Sequence, residues 1–370
     1  MPDTPLTQLR ALGQSPWIDF LSRRFVEDGD LAGLAEQGIV GVTSNPTIFQ
    51  AAIAQGDAYD QQLREVLKTE TEPKEIFLAL AVRDIQAACD VLRPVWDEAG
   101  ENARDGWISL EVDPTLAHDT AATIEEAKRL HALVDRPNVF IKIPATREGL
   151  SAIEETVAAG IPVNVTLIFS LQRHREVADA YIRGVQRYAD AGGDLAGMAS
   201  VASFFVSRVD TEADKRLDAV GGHDELKGTL AIANAKLAYQ SYKEIFGGGQ
   251  WQALQAKGAT PQRCLWASTS TKNPEYRDVL YVEELIGPET VNTMPRETIE
   301  AFLDHGRVRP SLEEDVEGAR RTLEAFKAAG IDYDDVVDTL EREGVEKFAK
   351  SFELLFADVE AKRDALVAAA

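Results

Sequence analysis

Residues Asn138–Leu150 read NVFIKIPATREGL, a stretch in which a short apolar run carries one charged residue at its centre. The run Val139–Ile143 is rich in β-branched and aromatic residues and is stopped by Pro144, which is typical of a buried strand. Lys142 lies inside it, between two isoleucines. Because an ammonium group is costly to bury without a partner, this lysine needs a specific role.

The run by itself leaves two interpretations of Lys142 open. In the first, the amine lies in an apolar, water-poor pocket, where its neutral form is favoured and can attack a carbonyl to form a Schiff base. In the second, the strand lies at a sheet edge and the lysine side chain extends to solvent. The pattern of the other strands bears on this choice.

Eight short apolar runs alternate with helical segments along the chain. This alternation is typical of parallel strands joined by right-handed crossovers, and eight such units favour an α/β fold of the (β/α)8 TIM-barrel type over an open sheet. The glycine motifs of nucleotide-binding open sheets are absent. The predicted strands are Ser15–Leu21, Val40–Pro46, Ile108–Val112, Val139–Ile143, Pro162–Phe169, Met198–Val206, Arg263–Thr269 and Glu289–Met294.

We predict one barrel domain over residues 1–370, since no low-complexity linker divides the chain. A short helix is predicted at residues 4–12, and a helical extension of about residues 310–370 follows the last strand. We expect the extension to pack on the barrel, and such appendages can also cover an active-site mouth. Its apolar stripe, with a spacing of three or four residues, consists of Val345, Phe348, Phe352, Leu355 and Val359.

The composition excludes several classes of protein. A hydrophobic fraction of 45% and a charged fraction of 27% are those of a soluble globular chain, and a net charge of −23 argues against binding to nucleic acid or anionic membranes. We find no membrane span and no secretory signal, and therefore expect a cytoplasmic protein. The two cysteines, Cys89 and Cys264, lie in apolar stretches, which fits a reducing compartment. No Cys/His cluster or HExxH motif occurs, so we expect no metal and no cofactor.

Polar residues lie within the predicted strands or just after them, where barrel enzymes carry out their chemistry. Together they supply two carboxylates, an amine and several hydrogen-bonding groups, as aldol chemistry through a Schiff base requires. Each also has a structural alternative: Asp19 can cap a helix, Asn45 can hold a turn, and Glu111 can pair with an arginine. The set consists of Asp19, Asn45, Glu111, Lys142, Asn164, Thr166, Ser203 and the run Ser268–Asn273.

Six stretches resemble the transaldolase family in its longer bacterial form. The resemblance implies a metal-free enzyme that transfers a dihydroxyacetone unit from a ketose phosphate to an aldose phosphate in the non-oxidative pentose phosphate pathway. The implied donors are sedoheptulose 7-phosphate and fructose 6-phosphate, and the acceptors are glyceraldehyde 3-phosphate and erythrose 4-phosphate. The stretches, which occur in family order, are GVTSNPTIF, SLEVDP, NVFIKIPATREGL, GIPVNVTLIFS, ASFFVSRVDTEADK and WASTSTKNPEYRD.

The same resemblance implies the catalytic roles. Lys142 would form the Schiff base. Glu111 would relay protons through a water molecule that Thr166 helps to hold. Asp19 would be the acid and base that breaks and makes the carbon–carbon bond.

The resemblance also implies the substrate contacts. Asn45 and Asn164 would bind the dihydroxyacetone unit, and Ser203 and Arg208 the phosphate. Many family members have an arginine–asparagine pair after the seventh strand, whereas this chain has Lys272–Asn273. The lysine supplies a positive charge but cannot make the two parallel hydrogen bonds that an arginine makes to a phosphate. The residues expected to bind substrate are Asn45, Asn164, Ser203, Phe205, Arg208, Ser270 and Lys272.

Three alternatives stay open at this point. Fructose-6-phosphate aldolases are shorter relatives that release dihydroxyacetone to water and resemble Ala-Pro-Tyr at the positions of Ser203–Phe205, so Phe205 and the chain length favour transaldolase. A catalytically inactive barrel acting as a binding module is disfavoured by the intact acids and lysine. Arg208 can instead form a surface ion pair with Asp210 or Glu212. The only partners we expect are small sugar phosphates and, in a homodimer, a second copy of the chain; a monomer is equally compatible.

Overall fold

Within the residues described by the computed structural model, 3–54, 57–100 and 104–368, eight parallel strands pair in chain order. The last strand pairs with the first, so the sheet closes into a barrel and the predicted TIM-barrel fold is confirmed. The strands are β1 (Gln14–Asp19), β2 (Gly41–Thr43), β3 (Trp107–Glu111), β4 (Val139–Pro144), β5 (Val163–Ile168), β6 (Ser200–Phe205), β7 (Arg263–Ala267) and β8 (Thr290–Met294).

Helices surround the barrel and connect its strands, and in the described part of the chain single 3₁₀ turns occur at Pro114–Leu116 and Asp224–Leu226. The helices are α1 (Pro5–Ala11), α2 (Arg23–Glu27), α3 (Asp30–Gln37), α4 (Pro46–Ala54), α5 (Asp60–Val66), α6 (Pro73–Ala99), α7 (Thr120–Val134), α8 (Arg147–Ala158), α9 (Leu171–Asp190), α10 (Ser207–Val220), α11 (Leu230–Phe246), α12 (Gly249–Gln255), α13 (Leu280–Glu284), α14 (Arg296–His305), α15 (Val316–Ala328) and α16 (Tyr333–Ala368).

Short polar side chains fix the turns that follow the strands. Ser22, Thr146 and Ser170 accept hydrogen bonds from backbone N–H groups in the first turns of α2, α8 and α9. Only two residues separate the end of β2 at Thr43 from Pro46, which opens α4, so the predicted strand Val40–Pro46 was too long. These caps fix the turns after β1, β4 and β5 and so help to position the residues at the barrel mouth.

The C-terminal helix α16 packs against α4 and α6. The Phe352 ring lies 5.5 Å from the ring of Phe77 in α6, and the Thr47 hydroxyl donates a hydrogen bond of 2.9 Å to Ser351. Four residues of the predicted apolar stripe are buried, and the fifth, Val345, is partly buried. The single domain over residues 1–370 stays a prediction, and residues 369 and 370 of the predicted extension lie outside the described part.

Among these described residues, no helix is both long enough and apolar enough to cross a membrane. Cys89 and Cys264 are buried free thiols.

Candidate active site

Lys142 lies inside the barrel with only 5% of its surface exposed. Its Nζ is 3.1 Å from Oε2 of Glu111 on β3 and donates a hydrogen bond of 3.2 Å to the carbonyl of Ser44. Because β4 has a paired neighbour on each side, it is not an edge strand. The interpretation of Lys142 as a lysine that extends from a sheet edge into solvent is therefore wrong.

Glu111, Lys142 and Asn164 occupy one level of the barrel, since they are register partners on β3, β4 and β5. Burial raises the pKa of the Glu111 carboxyl, and the Lys142 ammonium opposes that rise. A carboxyl group in such surroundings can take up and release protons closer to neutral pH than an exposed glutamate. Its partner is the lysine, so the structural pairing with an arginine is excluded.

Two buried oxygens in the barrel, one on Glu111 and one on Thr166, have unused hydrogen-bonding capacity. Neither the Thr166 hydroxyl nor Oε1 of Glu111 has a hydrogen-bond partner among the described residues. A buried polar group is stabilised when it gains a partner. Both groups are therefore suited to bind a hydroxyl group or a water molecule at this level of the barrel.

Asp19 lies at the end of β1 and lines the mouth of the barrel. Its Oδ1 accepts a hydrogen bond of 2.6 Å from the hydroxyl of Thr43, which itself lies 2.7 Å from the hydroxyl of Thr293. Burial raises the pKa of Asp19, while Lys142 and the Thr43 hydrogen bond lower it. Ser22 rather than Asp19 caps the following helix, so the capping alternative is wrong.

Asn164 and Ser203 are joined in a hydrogen-bonded row across the barrel. The Ser203 hydroxyl donates to Oδ1 of Asn164 at 2.7 Å, and Nδ2 of Asn164 donates to Ser109 at 3.0 Å. Ser203 lines the mouth cavity, whereas Asn164 is fully buried and is not among the lining residues. Ser203 therefore links Asn164 to the wall of the cavity.

Asn45 has two roles in the structure. Its Oδ1 accepts a hydrogen bond of 3.1 Å from the backbone N–H of Ile48, so the predicted turn-holding alternative is correct. Its side chain also lines the cavity, and its Nδ2 donates no hydrogen bond to another described residue. The amide group remains able to donate to a ligand.

A cavity of about 750 Å³ opens at the C-terminal ends of the strands. Nine of the eleven predicted site residues line it; the other two contact lining residues, Glu111 through Lys142 and Asn164 through Ser203. Asn273 is not among the lining residues and instead accepts a hydrogen bond from the backbone of Glu275. The nine are Asp19, Asn45, Lys142, Thr166, Ser203, Phe205, Arg208, Ser270 and Lys272.

Arg208 and Lys272 bring two cations to this cavity without a carboxylate partner among the described residues. The Lys272 ammonium donates a hydrogen bond of 2.7 Å to the Ser270 hydroxyl. Burial lowers the pKa of Arg208, and Asp19 and Glu111 oppose this effect at longer range. Two unpaired cations beside hydroxyl groups suit a phosphate.

The predicted alternative for Arg208 is wrong, because both candidate acids have other partners. Asp210 accepts hydrogen bonds from Tyr281 and the backbone of Ala231. Glu212 pairs with its neighbours on α10.

Several residues at the site were missed from the sequence. Thr43 and Ser109 are polar residues inside strands and satisfy the criterion that selected Asp19, so they could have been found. Phe348 lines the cavity from α16 but has no distinguishing signal, since it is one member of an ordinary apolar stripe.

Among the residues that the structure describes, no three His, Cys, Asp or Glu side chains are arranged to hold a metal ion. The fold and the site together define a class, that of (β/α)8-barrel enzymes with a buried lysine–carboxylate pair below a cation-lined mouth. The chain belongs to the transaldolase/fructose-6-phosphate aldolase family, whose model matches residues 16–359. The resemblance drawn from the sequence is thereby confirmed.

Curated relatives agree with this assignment over nearly the whole chain. A protein named transaldolase from Acidothermus cellulolyticus is 55% identical over 358 residues, which cover 96% of each chain. One from Frankia alni is 52% identical, again over 96% of each chain. One from Thermobifida fusca is 51% identical over 95% of this chain and 96% of its own.

Proposed function

We propose that the chain acts as a transaldolase and that Lys142 forms a Schiff base with the donor ketose. The proposal rests on the position of the Lys142 amine. The amine is buried, lies 3.1 Å from Oε2 of Glu111, and lines a cavity that also contains the unpaired cations Arg208 and Lys272. The amine attacks the C2 carbonyl of the ketose, and loss of water leaves an iminium ion. This cation is the electron sink for the next step.

Asp19 acts on the carbon–carbon bond. It takes the proton from the C4 hydroxyl, the C3–C4 bond breaks, and the bonding electrons move into the iminium to give a neutral enamine. The aldose phosphate leaves with its new aldehyde. An acceptor aldehyde then reacts with the enamine in the reverse sense, and Asp19 returns the proton to the new hydroxyl group.

Glu111 and Thr166 serve the formation and hydrolysis of the imine. Their unsatisfied buried oxygens are suited to hold the water molecule that is lost and later added. The raised pKa of Glu111 lets it protonate the leaving hydroxyl and accept a proton on return.

The substrate is held at both ends. Arg208, Lys272, Ser270 and Ser203 bind the phosphate, with Lys272 contributing charge without a bidentate fork. Asn45 binds the dihydroxyacetone unit directly, and Asn164 contributes through its hydrogen bond with Ser203.

Phe205 distinguishes transfer from simple cleavage. Its side chain is 6% exposed, lines the cavity and offers no proton to an enamine. With fructose 6-phosphate alone, we expect turnover to stall with a three-carbon unit bound to Lys142. Erythrose 4-phosphate should restart it and yield sedoheptulose 7-phosphate, which coupled assays and mass spectrometry can follow.

Phe205→Tyr is the matched variant for this experiment, because the tyrosine can donate a proton or hold a water that does. We expect it to release free dihydroxyacetone faster than the wild type. Steady release of dihydroxyacetone by the wild type without an acceptor would instead favour the aldolase reaction.

A chelator should leave the activity unchanged, since the iminium ion polarises the substrate. The measurement is kcat/KM before and after dialysis against EDTA. A loss that Mg²⁺ or Zn²⁺ restores would contradict the Schiff-base mechanism.

We further propose that the enzyme works in the non-oxidative pentose phosphate pathway of the cytoplasm, as a monomer or homodimer. Its buried free thiols are compatible with a reducing compartment.

A further inference from the structure

The guanidinium of Arg208 lies between two aromatic rings. Its central carbon is 5.0 Å from the ring centroid of Phe205 and 5.8 Å from that of Phe348. The face of an aromatic ring attracts a cation but accepts none of its N–H groups in a conventional hydrogen bond. Since Arg208 also has no hydrogen bond or ion pair with another described residue, its N–H donors remain available for an anion.

The Phe348 ring faces the Lys142 amine as well as the Arg208 guanidinium. Its ring centroid is also 5.6 Å from Nζ of Lys142, and only 6% of the residue is exposed. Among the described residues, Phe205 has a cation–ring contact with Arg208 and with no other cation. One side chain of the C-terminal helix thus spans the amine and the guanidinium.

Other residues of α16 make their contacts outside the cavity. Phe352, one helical turn further along α16, packs edge-on against Phe77, and Asp358 accepts a hydrogen bond of 2.9 Å from Gln50 of α4. Neither Phe352 nor Asp358 lines the cavity. The anchoring of the helix and the contact with the cations can therefore be changed separately.

We infer that Phe348 is a positioning residue for phosphate recognition: its ring holds the Arg208 guanidinium toward the substrate phosphate and covers the Lys142 amine. The inference rests on the proposed function, because it takes a phosphate as the ligand of Arg208. The charges of Asp19 and Glu111 act on Arg208 from within the barrel. Without the second ring, the guanidinium is free to turn toward these acids and away from the phosphate.

The test compares Phe348→Leu with Phe352→Leu, which removes a ring from the same helix outside the cavity. Calorimetry gives the Kd of inorganic phosphate, and steady-state assays give KM and kcat for fructose 6-phosphate. We expect Phe348→Leu to raise Kd and KM on the order of tenfold, with a smaller change in kcat. Phe348→Tyr, which keeps the ring, should stay close to the wild type, and Phe352→Leu should leave the Kd of phosphate unchanged.

Equal effects of Phe348→Leu and Phe352→Leu on the Kd of phosphate, or no effect of Phe348→Leu, would overturn the inference. If circular dichroism shows that Phe348→Leu does not fold, Phe348→Met retains most of the volume without the ring and is held to the same criterion. Calorimetry needs no turnover, so the role of Phe348 can be tested even if the wild type transfers no three-carbon unit. In that case the proposed function would be contradicted, while the Kd values of phosphate would still decide the role of Phe348.

Discussion

Replacement of Lys142 by alanine is expected to reduce turnover by on the order of 10⁴-fold or more, because the covalent route through the imine is lost. The other lysine that lines the cavity, Lys272, belongs to the cation pair assigned to the phosphate and donates to Ser270. Borohydride reduction in the presence of fructose 6-phosphate should attach a three-carbon unit to Lys142 of the wild type. Peptide mass spectrometry locates the adduct.

Lys272→Ala is the matched control, since it also removes one cavity lysine. It should raise KM for sugar phosphates while the borohydride adduct on Lys142 still forms. The Lys142→Ala protein should remain folded, because Glu111, whose pKa burial already raises, can become neutral when its cation is removed. An adduct found on Lys272 instead of Lys142 would overturn the assignment of the nucleophile.

Asp19→Asn is expected to lower kcat on the order of 10²- to 10⁴-fold, the usual contribution of a general acid or base. The substitution keeps the shape of the side chain and its ability to accept the hydrogen bond from Thr43. Rapid-quench measurement of glyceraldehyde 3-phosphate release and of sedoheptulose 7-phosphate formation reports the two half-reactions. Both should slow together, since one group breaks and makes the bond.

The pH dependence of kcat/KM provides a second test of the role of Asp19 as the acid and base. Burial raises its pKa, so the acid limb of kcat/KM in the wild type should lie above the ordinary range of an aspartate. The limb should be missing or displaced in Asp19→Asn. A variant that slows only one half-reaction, or keeps the same acid limb, would show that another group moves this proton.

Much of the site was predictable because its reactive residues lie on strands. There the local sequence predicts both the position of a residue in the strand and, by its polarity among apolar neighbours, its functional role. Lys142 interrupts an apolar run, Asp19 and Glu111 do the same in their own strands, and the parallel order brings all three to one end of the barrel. A polar residue inside an otherwise apolar strand therefore carries information about the barrel interior.

The parts that were missed depend on contacts between segments far apart in the chain. Nothing near Phe348 indicates that its turn of helix faces Lys142, since that depends on how α16 packs on α4. The direction of Asn273 away from the cavity is likewise decided by its local turn, not by its neighbour Lys272. Strand ends were overextended where a helix begins at once, as at Pro46.

Closure of the barrel by β1 and β8 has a consequence for synthesis of the protein. The register pair Gln14–Thr290 joins residues that are 276 positions apart in the chain, so β1 has no β8 partner until residue 290 and its neighbours have been synthesised. Until then the nascent sheet has two open edges, and such edges invite pairing with other chains. The two edges of the sheet can pair with each other only after β8 has been synthesised.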